Sequence, residues 1–418
     1  MRSTISRISN KRVVLILCIA AASIGYMFSI ASTSIGVILL LFGWLVNLKE
    51  LNWKNYFKKN NLNLFTFFFI LLLISSSYSL DFQQAEKVIV RHLSFLVIPL
   101  VFLTIRPLSL KEKYFVIKVF VVSSSVFFLI CFLNAVYRQI VFFSDGGVFN
   151  WYFFFRYDLL DIFGQHPTYV AMFTLMSIGF LLFYSEGKIF TRKLSILVIL
   201  VQIIGLIFSG SRIGIIVLFI FFMLFLCKRF FFSLKRPNRK SILIFLMSLV
   251  LIISFFGNIP IIKERVLFTF GIDYDYKFNK KKHIVNGAPE KEGRLLLWVD
   301  ALELINEKPI IGYGTGSNTI VLNKKYEEKG HLHFLNENYN THNTYLELLI
   351  SGGIFHLGGF LLILSKIFFM GWRKKDFILL SFLCIISIIS ITETIFRSQG
   401  IVFFTFFYCF LLSQKNEK

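Results

Sequence analysis

The sequence predicts an all-α protein, a polytopic helical bundle in a membrane, and three observations support this prediction. Of the 418 residues, 56% are hydrophobic and 16% are charged, whereas soluble domains are about 45–50% apolar and about 25% charged. The mean hydropathy is +0.71. The apolar residues form runs of membrane-spanning length, and Lys and Arg lie between alternate runs. We therefore predict one transmembrane domain over residues 1–418 and exclude soluble, disordered and fibrous classes.

About twelve runs approach the roughly 20 apolar residues that a spanning helix needs. The first two are joined by a very short turn, and the fourth begins with Arg91 and His92. The first run follows a basic stretch, as in a signal peptide, but apolar sequence resumes at once, so we interpret it as a retained span. The predicted spans are 13–30, 31–48, 62–79, 91–105, 114–134, 167–184, 193–210, 212–231, 241–258, 344–368, 377–393 and 397–413.

The distribution of basic residues predicts the orientation of these spans. Lys and Arg are concentrated in one set of alternate connections, and the opposite short connections hold few. Because short cytoplasmic loops are enriched in Lys and Arg, we expect both termini in the cytoplasm and an even number of spans. This topology accounts for much of the net charge of +22, so the charge gives no reason to expect a nucleic-acid partner.

The long connections and the cysteines complete this outline. Outer loops are expected at 135–166 and at 259–343, and a loop as long as the second must contain structure of its own. Residues 293–305 read as an amphipathic helix that ends before Pro309, and Gly312, Gly314 and Gly316 are expected to form a flexible turn. All five cysteines lie in or beside apolar runs without metal-binding spacing, which predicts neither a disulfide nor a metal site.

Three polar segments are candidates for chemistry, because ionisable residues at the ends of spans are costly unless they have a use. Arg212 joins two spans with almost no loop, where a guanidinium can grip a diphosphate at two points or snorkel to lipid headgroups. Arg294 begins the loop helix, where a cation opposes the macrodipole and is therefore expected to have an anionic partner. The alternative is a solvated charge at the end of a helix. His342 lies where the long loop re-enters the membrane and can act as a general base, or belong to a polar helix cap.

Several further residues are candidate contacts for a substrate. Lys87 and Arg91 flank an outer turn and are suited to phosphate, and His166 begins a span at the outer face. Asn343 and Tyr345 follow the candidate base at 342. His331 and His333 lack a third ligand at metal-binding spacing. Glu393 is expected to pair with Arg397 at i+4.

Three of these pieces, in this order, resemble the O-antigen ligase and O-antigen polymerase superfamily of bacterial membrane glycosyltransferases. They are Ser-Arg at 211–212, the pattern Arg294-x-x-x-Trp298 through Gly314, and His342-Asn343-x-Tyr345-Leu346-Glu347 ending in Gly352-Gly353. The resemblance is most specific over 205–360. Elsewhere it rests on the span count, on 91–95 and on 166–169.

The resemblance implies transfer of a glycan from an undecaprenyl-diphosphate carrier, at the periplasmic face of the inner membrane, without a metal or other cofactor. The acceptor is the lipid A core in ligases and a second lipid-linked glycan in polymerases. Arg212 and Arg294 would neutralise the leaving diphosphate, and His342 would accept the proton of the acceptor hydroxyl, with inversion at the anomeric carbon.

Other functions remain open at this stage. We favour a ligase over a polymerase because of the His342 segment and the long loop before it. A transporter of the same lipid-linked sugars would show charged or broken helices near the bilayer midplane, and a non-catalytic scaffold would not need Arg212, Arg294 and His342 to converge. Residues 271–292 match no pattern and are a candidate determinant of acceptor choice.

Overall fold

The computed structural model describes residues 10–54, 63–184, 189–229, 294–397 and 399–413. Within these ranges the regular structure is helical, as predicted, with sixteen α-helices and four short 3-10 helices. The α-helices are α1 (Asn10–Phe28), α2 (Ile30–Val46), α3 (Asn63–Ser76), α4 (Phe82–His92), α5 (Ser94–Thr104), α6 (Leu110–Ser144), α7 (Arg156–Leu160), α8 (Pro167–Phe183), α9 (Arg192–Ser209), α10 (Arg212–Cys227), α11 (Arg294–Glu307), α12 (Asn318–Lys329), α13 (Leu332–Asn336), α14 (Thr344–Lys374), α15 (Phe377–Thr392) and α16 (Gly400–Leu412).

Many of these helices are suited to a bilayer. Among the described residues, five helices are long and apolar enough to cross a membrane, or six if the bent pair at 156–183 forms one span. The shorter apolar helices α2, α3, α10, α15 and α16 lie at other predicted spans. A multi-pass helical membrane protein is therefore supported. The count of twelve stays a prediction, because the expected span at 241–258 lies outside the described residues, as does 259–293.

Two predicted spans have different limits in the structure. The run at 91–105 belongs to a longer helical segment, since α4 and α5 together cover Phe82–Thr104. The run at 114–134 becomes α6, whose 35 residues extend over about 52 Å at 1.5 Å per residue. This exceeds the roughly 30 Å hydrocarbon core, so α6 continues beyond it. Hydropathy could not indicate this extension because Arg138 and Gln139 are polar.

The bundle is packed mainly by aromatic side chains. Phe65, Phe95 and Phe404 are fully buried, and Phe65 lies 5.1 Å from Phe95 and 5.3 Å from Phe404 between ring centroids. Large apolar side chains on the outside remain exposed, for example Ile38 at 62% and Leu133 at 59%. Exposed apolar surface of this extent suits contact with lipid rather than water.

The glycine turn after α11 is a fixed docking element rather than the flexible turn expected from sequence. Gly312, Gly314 and Gly316 have φ values of 65°, 96° and 91°, which side chains other than glycine rarely adopt. The amide of Gly314 donates to Ser351 O at 2.8 Å. A Cβ at Gly314 would lie 2.7 Å from Ser79 Cα. The turn is therefore held tightly against α3 and α14.

Helix α14 is broken where this turn docks. Gly352 and Gly353 have non-helical backbones, and Gly353 has a φ of 59°. The amide of Tyr313 donates to Ile350 O at 2.8 Å, and the amide of Ile354 donates to Pro309 O at 3.1 Å. The glycine pair thus allows two backbone segments to approach closely, and it fixes the first turns of α14 relative to α11.

Helices α11 to α13 pack as a small unit at one end of the bundle. The predicted helix at 293–305 is α11, and Asp300 at its centre is fully buried. Asp300 accepts hydrogen bonds from Lys329 Nζ at 2.8 Å and pairs with His331 Nδ1 at 2.9 Å. The indole of Trp298 donates to Thr341 O at 2.9 Å. The unit is therefore fastened directly to the segment that contains His342.

Candidate functional site

His342 lies in a short segment that positions its ring before α14 begins. Its φ is 44°, a left-handed conformation that non-glycine residues rarely adopt and that costs about 1–3 kcal/mol. The amide of His342 donates to Asn340 Oδ1 at 2.7 Å. Asn343 caps α14, with its side-chain oxygen accepting from the amides of Tyr345 at 2.9 Å and Leu346 at 3.2 Å. These bonds hold the strained backbone at His342.

Glu393, which follows the last residue of α15, lies between two histidines. Its Oε1 is 3.5 Å from His342 Nδ1 and its Oε2 is 3.8 Å from His166 Nδ1. These distances are long for hydrogen bonds, and His342 Nδ1 and Glu393 Oε2 have no hydrogen-bond partner among the described residues. We call His166, His342 and Glu393 the histidine–glutamate cluster.

The environment of Glu393 favours its charged form. Burial raises the pKa of this carboxylate, but the close approach of His342, the charges of both histidines and the amide of Thr394 together lower the pKa below its ordinary value. The side chain is only 8% exposed. A buried carboxylate kept charged by histidines can in turn stabilise positive charge on an imidazole ring.

His166 contributes the second ring from the start of α8. It caps this helix, with Nδ1 accepting from the amide of Thr168 at 3.3 Å. Burial lowers the pKa of His166, Glu393 raises it, and the charges of His342 and Arg294 lower it further. The charges of His342 and Arg294 thus both affect the pKa of His166. The convergence of Arg294 and His342 on one substrate stays a prediction.

Arg212 is the first residue of α10 and is partly buried. Ser211 caps this helix by accepting from the amide of Gly214 at 3.3 Å. The preceding residue, Gly210, has a φ of 70° and lies directly against the side chain of Arg156. Helix α10 packs against α8 and α15, the helices that His166 precedes and Glu393 follows. The proximity of the Arg212 guanidinium to a substrate stays a prediction.

The remaining candidates have different surroundings. The hydroxyl of Tyr345 donates to Ser387 O at 2.8 Å, and the amide oxygen of Asn343 is engaged in the helix cap. Lys87 is exposed on α4. Arg91, one turn later, lines a cavity of about 270 Å³ together with Arg397 and Glu347. Arg212, Arg294 and His342 do not line this cavity. The substrate contacts of Lys87, Arg91, Asn343 and Tyr345 stay predictions.

The expected pair between Glu393 and Arg397 is wrong. Arg397 Nε instead donates to Glu347 Oε1 at 2.8 Å, while Glu393 faces the histidines. The i+4 rule applies only within a continuous helix. Here α15 ends at Thr392, and Ile395–Arg397 forms a 3-10 turn.

Comparison with known families adds independent evidence. Residues 196–361 match the family model described as O-antigen ligase. Over these residues the chain is similar to O-antigen ligases. No curated protein matches the chain. The match confirms the resemblance found in the sequence and supports a membrane enzyme of the glycosyltransferase type.

The matched residues include Arg212, Arg294 and His342, while Glu393 and His166 lie outside them. Sequence reasoning missed the approach of Glu393 to the two histidines and assigned His166 only to substrate binding. The available signal was an acidic residue at the end of an apolar run, which is costly unless it is paired. In the described part of the chain, no three His, Cys, Asp or Glu side chains are arranged to hold a metal ion.

Proposed function

We propose that the protein is an O-antigen ligase-like glycosyltransferase. It moves a glycan from an undecaprenyl-diphosphate carrier to a hydroxyl of the lipid A core, at the periplasmic face of the inner membrane. The observation that carries this proposal is the position of His342, with Nδ1 facing the buried Glu393. Nε2 is then the nitrogen available to a substrate, because a proton on Nδ1 points to the carboxylate.

The proposed reaction is a single displacement. His342 Nε2 accepts the proton of the acceptor hydroxyl as the acceptor oxygen bonds to the anomeric carbon of the donor. The bond from that carbon to the phosphate oxygen breaks, and its electron pair leaves with the lipid diphosphate. Attack opposite the leaving group inverts the anomeric carbon. The distance of 3.5 Å between His342 and Glu393 is compatible with this role, because catalytic contacts often tighten when substrate binds.

The arginines supply charge where the diphosphate leaves. We propose that Arg294, near the histidine–glutamate cluster, and Arg212, at the start of α10, bind the diphosphate oxygens. Guanidinium groups suit this task because they bind phosphate in bidentate fashion and remain charged. Glu393 is a positioning residue in this scheme, since it orients His342 and stabilises the imidazolium that forms.

The test is a deletion of the gene in its host, complemented with wild type, His342→Ala or His333→Ala. Lipid-linked and surface glycans are compared by mass spectrometry and gel staining. Long glycans on the carrier with bare lipid A core support the ligase. Single repeat units on the carrier, with at most one unit on the core, indicate the polymerase and contradict the proposed acceptor.

The two complementing variants test the assigned base. His342→Ala is expected to lower the transfer rate by about 10²–10⁴-fold, the usual contribution of general base catalysis. His333→Ala is the matched control, because His333 belongs to the same unit and its ring lies against the rings of Phe334 and Tyr339. Full rescue by His342→Ala would remove this histidine from the reaction.

A further inference from the structure

A cavity with both polar and apolar walls lies beside the histidine–glutamate cluster and is not used in the proposed reaction. Its volume is about 270 Å³, and its wall comes from α4, the glycine turn, the start of α12, the first turns of α14 and residues 394–397. Ligand pockets for drug-sized molecules start near roughly 300 Å³. This cavity therefore has room for about one sugar ring and a charged substituent, and it is too small for a long glycan.

The cavity carries an excess of positive charge. Arg91 and Arg397 both line it, with Glu347 as the acidic side chain among the lining residues. Arg397 is engaged, since it donates to Glu347 at 2.8 Å and to Thr319 Oγ1 at 3.2 Å. Among the described residues, the guanidinium of Arg91 has no hydrogen bond or ion pair. Two cations at one small cavity repel each other unless an anion lies between them.

The same wall offers a group suited to sugar hydroxyls. Asn318 is 7% exposed and lines the cavity. Its Nδ2 donates to Glu347 O at 2.9 Å, while its Oδ1 is buried and has no partner in the described part of the chain. Buried polar atoms without partners are uncommon in native structures and call for an explanation such as a bound ligand. An amide oxygen accepts from hydroxyl groups and not from an anion.

The cavity and the histidine–glutamate cluster share one wall. Thr344 and Thr394 line the cavity, and the hydroxyl of Thr344 donates to Glu393 O at 2.7 Å. The amide of Thr394 donates to Glu393 Oε1 at 3.1 Å. A group bound in the cavity would therefore contact residues that are hydrogen-bonded to Glu393.

We propose that this cavity binds an acidic group, a phosphate or a carboxylate, carried by a sugar of one of the two substrates. Arg91 binds the acid, and Asn318 Oδ1 accepts a hydrogen bond from a sugar hydroxyl. The proposal rests on the proposed function, because it treats the cavity as a subsite of a glycan transferase. It assigns to Arg91 a role in affinity and not in bond breaking.

The first experiment measures binding without any reaction. The full chain in lipid nanodiscs is heated with glucuronate, inorganic phosphate or glucose, and the unfolding midpoint is recorded. A ligand that binds only the folded state raises this midpoint. We expect glucuronate and phosphate to raise it in wild type and in Lys324→Gln, and not in Arg91→Gln. Lys324 is the matched control because it is an exposed cation on α12 outside the cavity.

The second experiment measures transfer with purified lipid-linked donor and acceptor. Arg91→Gln is expected to raise the KM of one substrate by about tenfold or more, the effect of losing a charged hydrogen bond, with kcat unchanged. A rise in the donor KM assigns the acidic group to the donor, and a rise in the acceptor KM assigns it to the acceptor. Both KM values within about twofold of wild type, or a fall in kcat alone, would overturn the proposal.

The two experiments separate failure of the subsite from failure of the proposed function. Wild type that transfers glycan but shows no midpoint shift with either acidic probe contradicts the subsite and leaves the glycosyltransferase intact. Wild type that binds the acidic probes through Arg91 but transfers no glycan contradicts the function and leaves the anion site. In Arg91→Lys, the acidic probes are expected to raise the unfolding midpoint by part of the wild-type amount. Lysine retains the charge but not the bidentate geometry.

Discussion

Two carboxylates, the half-buried Glu112 and the buried Glu393, lie at opposite ends of the helical bundle and are paired in contrasting ways. Glu112 accepts from Arg12 Nε at 2.8 Å, from a second nitrogen of Arg12 at 2.9 Å and from the amide of Ser109 at 2.7 Å. Glu393 faces two histidines at 3.5 Å and 3.8 Å, and its Oε2 has no hydrogen bond within the described ranges. Their side chains are 14% and 8% exposed.

The geometry of α1 shows that these carboxylates are at opposite ends. Arg12 lies in the first turn of α1, while Tyr26 near its end borders a small pocket with Tyr169 and Gln399. Tyr169 belongs to the first turn of α8, next to His166. Helix α1 therefore runs from the Arg12–Glu112 pair towards the histidine–glutamate cluster.

We interpret this contrast as the difference between a structural ion pair and a positioning residue of the proposed site. Arg12 also donates to the carbonyl oxygens of Arg106 and Pro107 at 3.0 Å and 3.3 Å, so its guanidinium and the carboxylate fasten α1 to the start of α6. Glu393 instead retains unused hydrogen-bonding capacity, and the backbone at His342 is strained. Unsatisfied buried polar atoms and strained residues concentrate at functional sites.

Of the two ends, the Glu393 end is expected to show the larger effect, and Arg294→Ala tests it. Loss of one preorganised donor to developing negative charge typically costs about 10²–10³-fold in kcat, so we expect a decrease of that size in glycan transfer. Stability should be unchanged or slightly higher, because a cation at the first position of α11 opposes the helix dipole.

Transfer kinetics and thermal unfolding of the same preparation check this prediction, and Lys308→Ala, at the other end of the same loop helix, is the control. Arg294→Lys should recover only part of the rate, since an ammonium cannot reproduce bidentate binding. A rate within about threefold of wild type for Arg294→Ala would mean that Arg294 is merely a surface charge.

The helices could be predicted from the sequence because apolar runs are local signals. α9, α10 and α15 begin at or within one residue of the predicted limits. The docking of the glycine turn was not predictable, because glycine is required at 312 and 353 only where two segments distant in the sequence pack closely. A run of glycines in isolation indicates flexibility, whereas here it permits close packing.

The candidate site was predictable only where its residues form motifs. His342 and Arg294 stand in recognisable patterns, and the charges of both affect the pKa of His166. Glu393 was assigned the wrong partner because the helix was assumed to continue through Arg397. His166 and Glu393 are far apart in the sequence, so no local pattern indicates that they approach each other. Tertiary contacts of this kind depend on helix packing and not on spacing.

The next effect belongs to the opposite end and concerns stability. Glu112→Gln removes the charge that Arg12 binds and leaves a buried guanidinium without a carboxylate. Breaking a buried pair costs roughly 3–5 kcal/mol. We expect the free energy of unfolding to fall by about 3 kcal/mol, the lower end of this range, because the pair lies at the end of the bundle. The transfer rate per folded molecule should be unchanged. Thermal unfolding and transfer kinetics measure the two quantities.

A double replacement separates loss of the pair from loss of packing. Arg12→Met combined with Glu112→Leu should recover most of the stability, since apolar residues of similar volume can replace a buried ion pair. A transfer rate that falls in Glu112→Gln as strongly as in Arg294→Ala would contradict the distinction between the two ends.

The smallest expected effect is the pH dependence of stability at the Glu393 end. The pKa of Glu393 is lowered from 4.5, so its charged form contributes stability that is present above that value and lost as the pH falls through its lowered folded pKa. The pKa of His166 is lowered from 6.5, so protonation of the unfolded chain begins to destabilise the protein as the pH falls below 6.5.

The unfolding midpoint of wild type, Glu393→Gln and His166→Asn, recorded from about pH 3 to about pH 7, resolves these two windows. We expect the unfolding midpoint of Glu393→Gln to lie a few degrees below that of wild type. This difference should be constant near neutral pH and become smaller below pH 4.5. His166→Asn should lose less stability than wild type below 6.5. If the difference in unfolding midpoint between Glu393→Gln and wild type is as large at the lowest pH as at neutral pH, Glu393 is not charged in the folded protein. That result would contradict its role in orienting His342.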